Sequence, residues 1–312
     1  MATTQDRIQA PLPETVSHEK HRSLKADVWR QFRRHKGAVL GLIILTVIVA
    51  ATLLGPILWP PDPFALDIPN ANQGPTAAHP MGTDNLGRDV MARVFIGGRI
   101  SLSVGFAAMI FGVILGTLVG VVSGFFRKLD GLLMRMTDLF LALPILPLLL
   151  VVIMLFREPL KDALGPEMGI FILVVVIIGL TSWMQTARVV RGDVLAIKEE
   201  EFVIAARSIG TRKRRMMTRH IVPNVLSPVM VAAALGVAVA ILTESALSFL
   251  GLGFPADFPT WGRLLFDAKD YLQLSPMRVL WPGVMISLTV MSVNFIGDGI
   301  RDALDPRLRS KG

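Results

Sequence analysis

An all-α integral membrane protein with six transmembrane helices is the fold class that this 312-residue chain predicts, and three observations predict it. Hydrophobic residues make up 52% of the chain and gather into several runs of about 20 residues, each long enough to cross a bilayer as a helix. Charged residues, 18% of the total, sit mostly between those runs. The cations are also unevenly divided. Of 32 Lys and Arg, 24 fall in segments that share a side with the N-terminus and 8 in the alternate ones. By the positive-inside rule this bias predicts N-in/C-in topology, with the loop 188–223 in the cytoplasm.

The same composition excludes other classes. The net charge of +8 could serve nucleic acid, but aromatics are only 7% and the basic residues flank apolar runs. No nucleic-acid partner is therefore expected, and the lipid bilayer is. There is no cysteine, so no disulfide, thiolate nucleophile or Cys-ligated metal can form. The five histidines (18, 21, 35, 79 and 220) show no metal-ligand spacing beyond His18 and His21 in a polar tail, so no metal site is expected. No phosphate-binding Gly-x-x-x-x-Gly-Lys-Ser/Thr loop is present, so the chain is not expected to hydrolyse ATP. No catalytic residues are assigned.

The elements follow in order. Residues 1–36 read as a polar cytoplasmic tail leading into a short interfacial helix, with Leu24, Val28 and Phe32 repeating every four residues among Lys25, Arg30, Arg33 and Arg34. The tail is too long and polar for a secretory signal. The first span is 38–59, stopped by a Pro-rich stretch. Residues 60–99 form an external segment, irregular in its Pro-rich part and amphipathic from Asp89 to Ile96; Asp84 suits a turn cap, and Arg88 and Asp89 a local pair.

The core, residues 100–300, holds the remaining spans. In the second, 100–124, Ala108, Gly112, Gly116, Gly120 and Gly124 recur every four residues, a ridge that admits another helix closely. The third, 132–156, carries Arg135 and Asp138 three residues apart, and its Pro144 and Pro147 predict a break. The fourth is 168–187. The fifth, 225–245, places Ala232, Gly236, Ala240 and Glu244 on one face. Glu244 is the most deeply placed acid and so the candidate for lining a polar pathway, weighed against a carboxylate merely hydrogen-bonded at the outer interface. Residues 246–278 read as a re-entrant or interfacial segment plus an external loop, 279–297 as the sixth span, and 301–312 as a cytoplasmic tail in which Arg301 can pair with Asp298 or Asp305.

Between the fourth and fifth spans lies a basic island. Phe202, Ala205, Ala206 and Ile209 have helical spacing on one face, Gly210 permits a sharp turn, Arg212–His220 reads as a second short helix, and Pro223 suits the first turn of the next. Phe202-Val-Ile-Ala-Ala-Arg, Gly210 and Arg219-His-Ile-Val-Pro-Asn resemble the coupling ("EAA") loop of ABC-importer membrane subunits. Gly-Thr-Asp-x-x-Gly-Arg-Asp at 82–89, Ser248-Phe-Leu-Gly-Leu-Gly-Phe with Pro259-Thr-Trp-Gly, and the run from Gly297 to Arg309 resemble the C-type permease of the oligopeptide/dipeptide/nickel importers. The resemblance covers about residues 24–309. One departure is visible: Ile204 stands where the loop motif has its Glu, so no role of that carboxylate carries over.

The resemblance implies a permease subunit of an ATP-driven, binding-protein-dependent importer in the bacterial inner membrane. Its implied partners are a homologous second permease, two cytoplasmic ATPases that bind ATP and Mg, and an external substrate-binding protein. The implied coupling residues are Phe202, Ala205, Ala206, Ile209, Gly210, His220 and Pro223. Peptides are the family's commonest cargo; nickel or another small solute is the alternative within the family. An ATPase-independent secondary transporter is disfavoured by the few deep ionisable residues and the lack of an inverted pair of broken helices. No feature speaks for export.

Overall fold

The structure, a computed structural model, describes residues 24–304; the tail residues 1–23 and 305–312, with the Arg301–Asp305 pairing, lie outside them. The described chain is helical, and its elements are α1 (Leu24–Arg34), α2 (Lys36–Leu58), α3 (Val90–Phe125), α4 (Arg127–Ala142), α5 (Ile145–Leu164) and α6 (Pro166–Ile197), then α7 (Glu201–Ser208), α8 (Lys213–Met216), α9 (Val222–Phe249), α10 (Trp261–Ala268) and α11 (Met277–Leu304). Five helical stretches are long and apolar enough to cross a membrane. A sixth arises if α4 and α5, bent by 88° at their junction, count as one broken span.

That break falls where the prolines require it. Pro144 is the N-cap of α5 and Pro147 occupies its first turn, where a missing N–H costs no hydrogen bond. Asp138 does not pair with Arg135 as its spacing predicts. It reaches across to Arg188 of α6, while Asp130 takes Arg191 through two bonds, one of 2.7 Å. These cross-helix pairs explain why α6 runs to Ile197, ten residues beyond the expected span end at 187: its cations are neutralised by α4 and need not terminate the helix.

Helix α3 likewise begins ten residues before the expected start at 100. Asp89 caps it through the Ala92 N–H at 2.6 Å, and also holds the indole of Trp59 at 3.1 Å and His79 at 2.7 Å. Arg88 therefore pairs with Asp84, not with Asp89, at 2.7 Å. Further along α3, Arg99 donates through Nε to the Thr52 carbonyl at 2.8 Å. That carbonyl is one that Pro56, lying inside α2 without an N–H, cannot satisfy. The arginine thus repairs the defect of the neighbouring helix.

The glycine ridge faces α6. A Cβ on Gly116 would sit 2.5 Å from the Trp183 carbonyl oxygen, one on Gly120 2.7 Å from that of Ala187, and one on Gly124 2.7 Å from Val194 Cβ. Gly112 meets the Ser182 side chain in the same way. Only hydrogen at Gly116, Gly120 and Gly124 lets the α3 and α6 backbones lie this close, and the close pair forms within the chain. At the start of the bundle, Phe32 of α1 and Ala38 of α2 pack with Ala303 of α11, while Trp29 stacks on Phe32 at 5.8 Å.

Candidate functional site

The segment joining α6 to α9 forms one end of the bundle. After α6 the chain turns beside Lys198, whose Nζ donates to the Gly124 carbonyl at 3.0 Å and so caps the C-terminus of α3 with a positive charge. Helix α7 follows. It ends as its sequence requires: Gly210 has φ +77°, the Gly210 N–H donates to the Arg207 carbonyl, and the Thr211 N–H to that of Ala206. This pair of bonds is the Schellman closure, which needs a residue at positive φ.

The second short helix is not separate. α8 passes through a π-turn, Met217–Ile221, directly into α9, with Pro223 in the first turn of α9. A proline has no N–H to give to the carbonyl four residues back, so the wider turn forms where that bond is missing. The helix leaving the loop is therefore continuous with a membrane-length helix, and a push on α8 reaches α9 without a hinge.

Two faces of α7 differ sharply. Val203 and Ala206 are buried and join Val121 of α3, Val190 and Val194 of α6, and Ile221 and Val225 of the α9 stretch in one apolar cluster. Phe202, Ala205 and Ile209 point outward, with Ile209 84% exposed, and Phe202 lies 6.4 Å from the ring of His220. Ala206 thus belongs to the inner face and not to the outward row in which its spacing sets it. In a helix, positions 203 and 206 share a side three residues apart, and the valine cluster captures that side. Pro223 is exposed and His220 half-buried.

Glu244 lies toward the opposite end. It is fully buried; Ser248 donates to its Oε1 at 2.8 Å and Ser101 of α3 to its Oε2 at 3.1 Å. The Trp261 N–H reaches Ser101 Oγ at 3.2 Å. Trp261, wholly buried, donates its indole N–H to the Val94 carbonyl at 3.0 Å. Gly262 lies so close to α9 that a Cβ would fall 2.5 Å from Ser245 Cα. Of the two readings open for Glu244 from its position, this geometry matches the hydrogen-bonded carboxylate: it ties α9, α10 and α3 and opens on neither large cleft of the molecule.

Those clefts are distinct. One, about 940 Å3, lies among α2, α3, α9 and α11 and is almost wholly apolar; its one charged residue, Arg99, is committed to α2 carbonyls. The other, about 850 Å3, lies among the α4–α5 break, α6, α9 and the end of α11, and is lined by Thr181, Gln185, Thr186, Asp193, Ser227 and Arg301 among apolar neighbours.

Two groups of polar residues are missing from the sequence-based expectations. One is a buried charge cluster at the Glu244 end: Arg93 (1% exposed) lies 3.4 Å from Asp84 and 3.6 Å from Asp267, Arg263 holds Asp267 at 2.9 Å, and Arg278 donates to Asn72 at 2.8 Å. Its members come from two stretches, 72–93 and 263–278, that only folding brings together. The other is the stripe Thr181, Gln185, Asp193 on α6, whose four-residue multiples are legible in the sequence.

Comparison with known proteins accords with this architecture. Residues 99–310 match the family described as binding-protein-dependent transport system inner membrane component, and residues 23–75 the N-terminal transmembrane domain of oligopeptide transport permease C. The chain is 39% identical over 285 residues to the dipeptide transport system permease protein DppC of Alkalihalophilus pseudofirmus, covering 91% of this chain and 90% of that one. It is 37% identical to the oligopeptide transport system permease protein OppC of Bacillus subtilis (93% and 92% covered) and 40% identical to OppC of Haemophilus influenzae (92% and 90%). The chain belongs to the binding-protein-dependent transport system inner membrane component family, a family of multi-pass inner-membrane permeases.

Proposed function

We propose that this chain is the membrane-spanning permease subunit of an ATP-driven importer that carries di- and oligopeptides delivered by an external binding protein. One observation carries the coupling part of the proposal: α7 offers Phe202, Ala205 and Ile209 outward while Val203 and Ala206 root it in a cluster shared by α3, α6 and α9. An exposed apolar row on a short, rooted helix suits a groove on a partner protein, where an aromatic anchor supplies much of the contact. The partners are two cytoplasmic ATPases, which hold ATP and Mg, and a homologous second permease. Peptide cargo is the reading favoured by the relatives named above. The cation bias supports placing both termini and α7 in the cytoplasm.

In this mechanism closure of the ATPase pair displaces α7. The displacement passes rigidly through the valine cluster to α3 and α6 and through the continuous α8–α9 helix to α9. The packed glycine seam keeps α3 and α6 moving as one body. The test is peptide uptake by reconstituted transporter carrying ATPases unable to hydrolyse ATP. Uptake is expected to fall to the background of empty vesicles; undiminished uptake would assign the chain to a transporter that needs no ATPase.

A further inference from the structure

The geometry points to the cleft among α4–α5, α6 and α9 as this chain's wall of the solute pathway, with Gln185 as the residue that meets the main chain of a passing peptide. The inference rests on the import reading above and deepens it by assigning the site of passage.

Thr181, Gln185, Val189 and Asp193 follow one another at four-residue steps along α6, and all line the cleft. Ser227 and Thr243 stand at the two ends of the facing row on α9. At 1.5 Å per residue the α9 row extends about 24 Å, most of the thickness of a bilayer core. The cleft therefore runs along the membrane normal instead of forming a shallow dent.

Gln185 is exposed in the middle of a membrane-length helix, and its amide makes no hydrogen bond among the described residues. An amide facing hydrocarbon without a partner is costly, so this one faces something polar. The hydroxyls of Thr181 and Thr243 donate back to their own helices, to the Ile178 and Val239 carbonyls, which leaves their oxygens free to accept from the cleft. Between these groups the wall is apolar, and its charged members, Asp193 and Arg301, sit toward the α7 end. A wall that offers neutral donors and acceptors with no fixed charge in its middle suits peptide amides and is indifferent to side-chain charge. The apolar cleft on the other side of α9 has no such stripe.

The moving parts border the same cleft. α6 leads into the coupling segment and α9 leads out of it, so displacement of α7 carries both polar walls with it and re-aims the cleft. The α4–α5 break supplies Leu141 and Ile145 to the remaining side.

The test uses the assembled transporter, which in this chain has no native cysteine. Gln185→Cys and, for comparison, Val49→Cys in the apolar cleft are treated with a membrane-impermeant thiol reagent, with and without ATP and with saturating peptide. The expected result is reaction at position 185 that changes with nucleotide and is protected by peptide, and none at position 49. Gln185→Leu, at unchanged yield of assembled complex, is expected to lower uptake of neutral, acidic and basic peptides alike by roughly five- to tenfold, the size of one lost neutral hydrogen bond. No reaction at 185 in any state, together with normal uptake by Gln185→Leu, would show that the second permease covers this face and would overturn the assignment. The import reading fails separately: only uptake that survives ATPase inactivation contradicts it.

Discussion

The two ends of the helix bundle are held together by different forces. At the Glu244 end, α3, α9, α10 and the 60–89 segment are tied by directional polar contacts buried from water: Glu244 with Ser101 and Ser248, Trp261 with Val94, Arg93 between Asp84 and Asp267. At the α7 end the ties that root α7 are apolar, a cluster of Val121, Val190, Val194, Val203, Ile221 and Val225; the polar ties nearby, Lys198 to the Gly124 carbonyl and Arg188 and Arg191 to α4 carboxylates, join α3, α4 and α6 and not α7. Buried polar networks have one good geometry and resist small shifts, whereas a valine cluster can move as a body with the helices that share it. In the proposed mechanism the difference makes the first end the fixed clamp and the second the transmitted lever.

The sharpest way to break the comparison is to remove the centre of the clamp. Trp261→Ala empties a wholly buried site and deletes the bond to Val94, at a cost of about 3–5 kcal/mol. The expected outcome is severe loss of folded protein on detergent extraction, and a preserved melting temperature would show that the clamp lies elsewhere. Next in size are the seam substitutions. Gly116→Ala meets backbone, the Trp183 carbonyl, and should destabilise by about 1–3 kcal/mol, while Gly112→Ala meets a Ser182 hydroxyl that can rotate away. Thermal unfolding of the two variants should rank them in that order, and the reverse rank would refute the seam as drawn.

Glu244 sharpens the comparison from the other side. Glu244→Leu strands the hydroxyls of Ser101 and Ser248 and should cost about 1–3 kcal/mol, whereas Glu244→Gln keeps an acceptor and should cost less. Uptake per folded molecule should stay unchanged in both, and a stable Glu244→Gln protein that transports poorly would return this residue to the pathway. The smallest stability effect belongs to Phe202→Ala on the exposed face of α7, within about 0.5 kcal/mol by thermal unfolding, with peptide uptake nonetheless abolished.

Apolar runs and small-residue spacing make much of the fold legible in the amino-acid sequence. The Gly112–Gly124 ridge is readable because a four-residue repeat of glycine has few other uses in an apolar helix, and the α4–α5 break because Pro144 cannot continue a helix. The ends of α3 and α6 are not readable. Arg93, Arg99, Arg188 and Arg191 look like boundary residues in sequence, and the partners that keep them inside helices come from other elements. Glu244 is ambiguous for a related reason: depth along an apolar run does not tell which side of the helix meets α3 and α10. In the segment joining α6 to α9 the turn at Gly210 is legible from its chemistry, but the inward turn of Ala206 is not. An eight-residue helix offers too few positions to fix its buried face without knowing where Val121 and Val194 lie.

The most direct test of the proposed lever is a single cysteine on the outward face of α7. Ala205, the position for Ala205→Cys, is exposed on α7 and stands apart from the buried cluster that Ala206 serves. Paired with a cysteine in the groove of the partner ATPase, the substituted residue should form a cross-link whose yield changes between the nucleotide-free and ATP-bound states. A fully assembled, membrane-inserted transporter that gives no cross-link in either state would contradict the account.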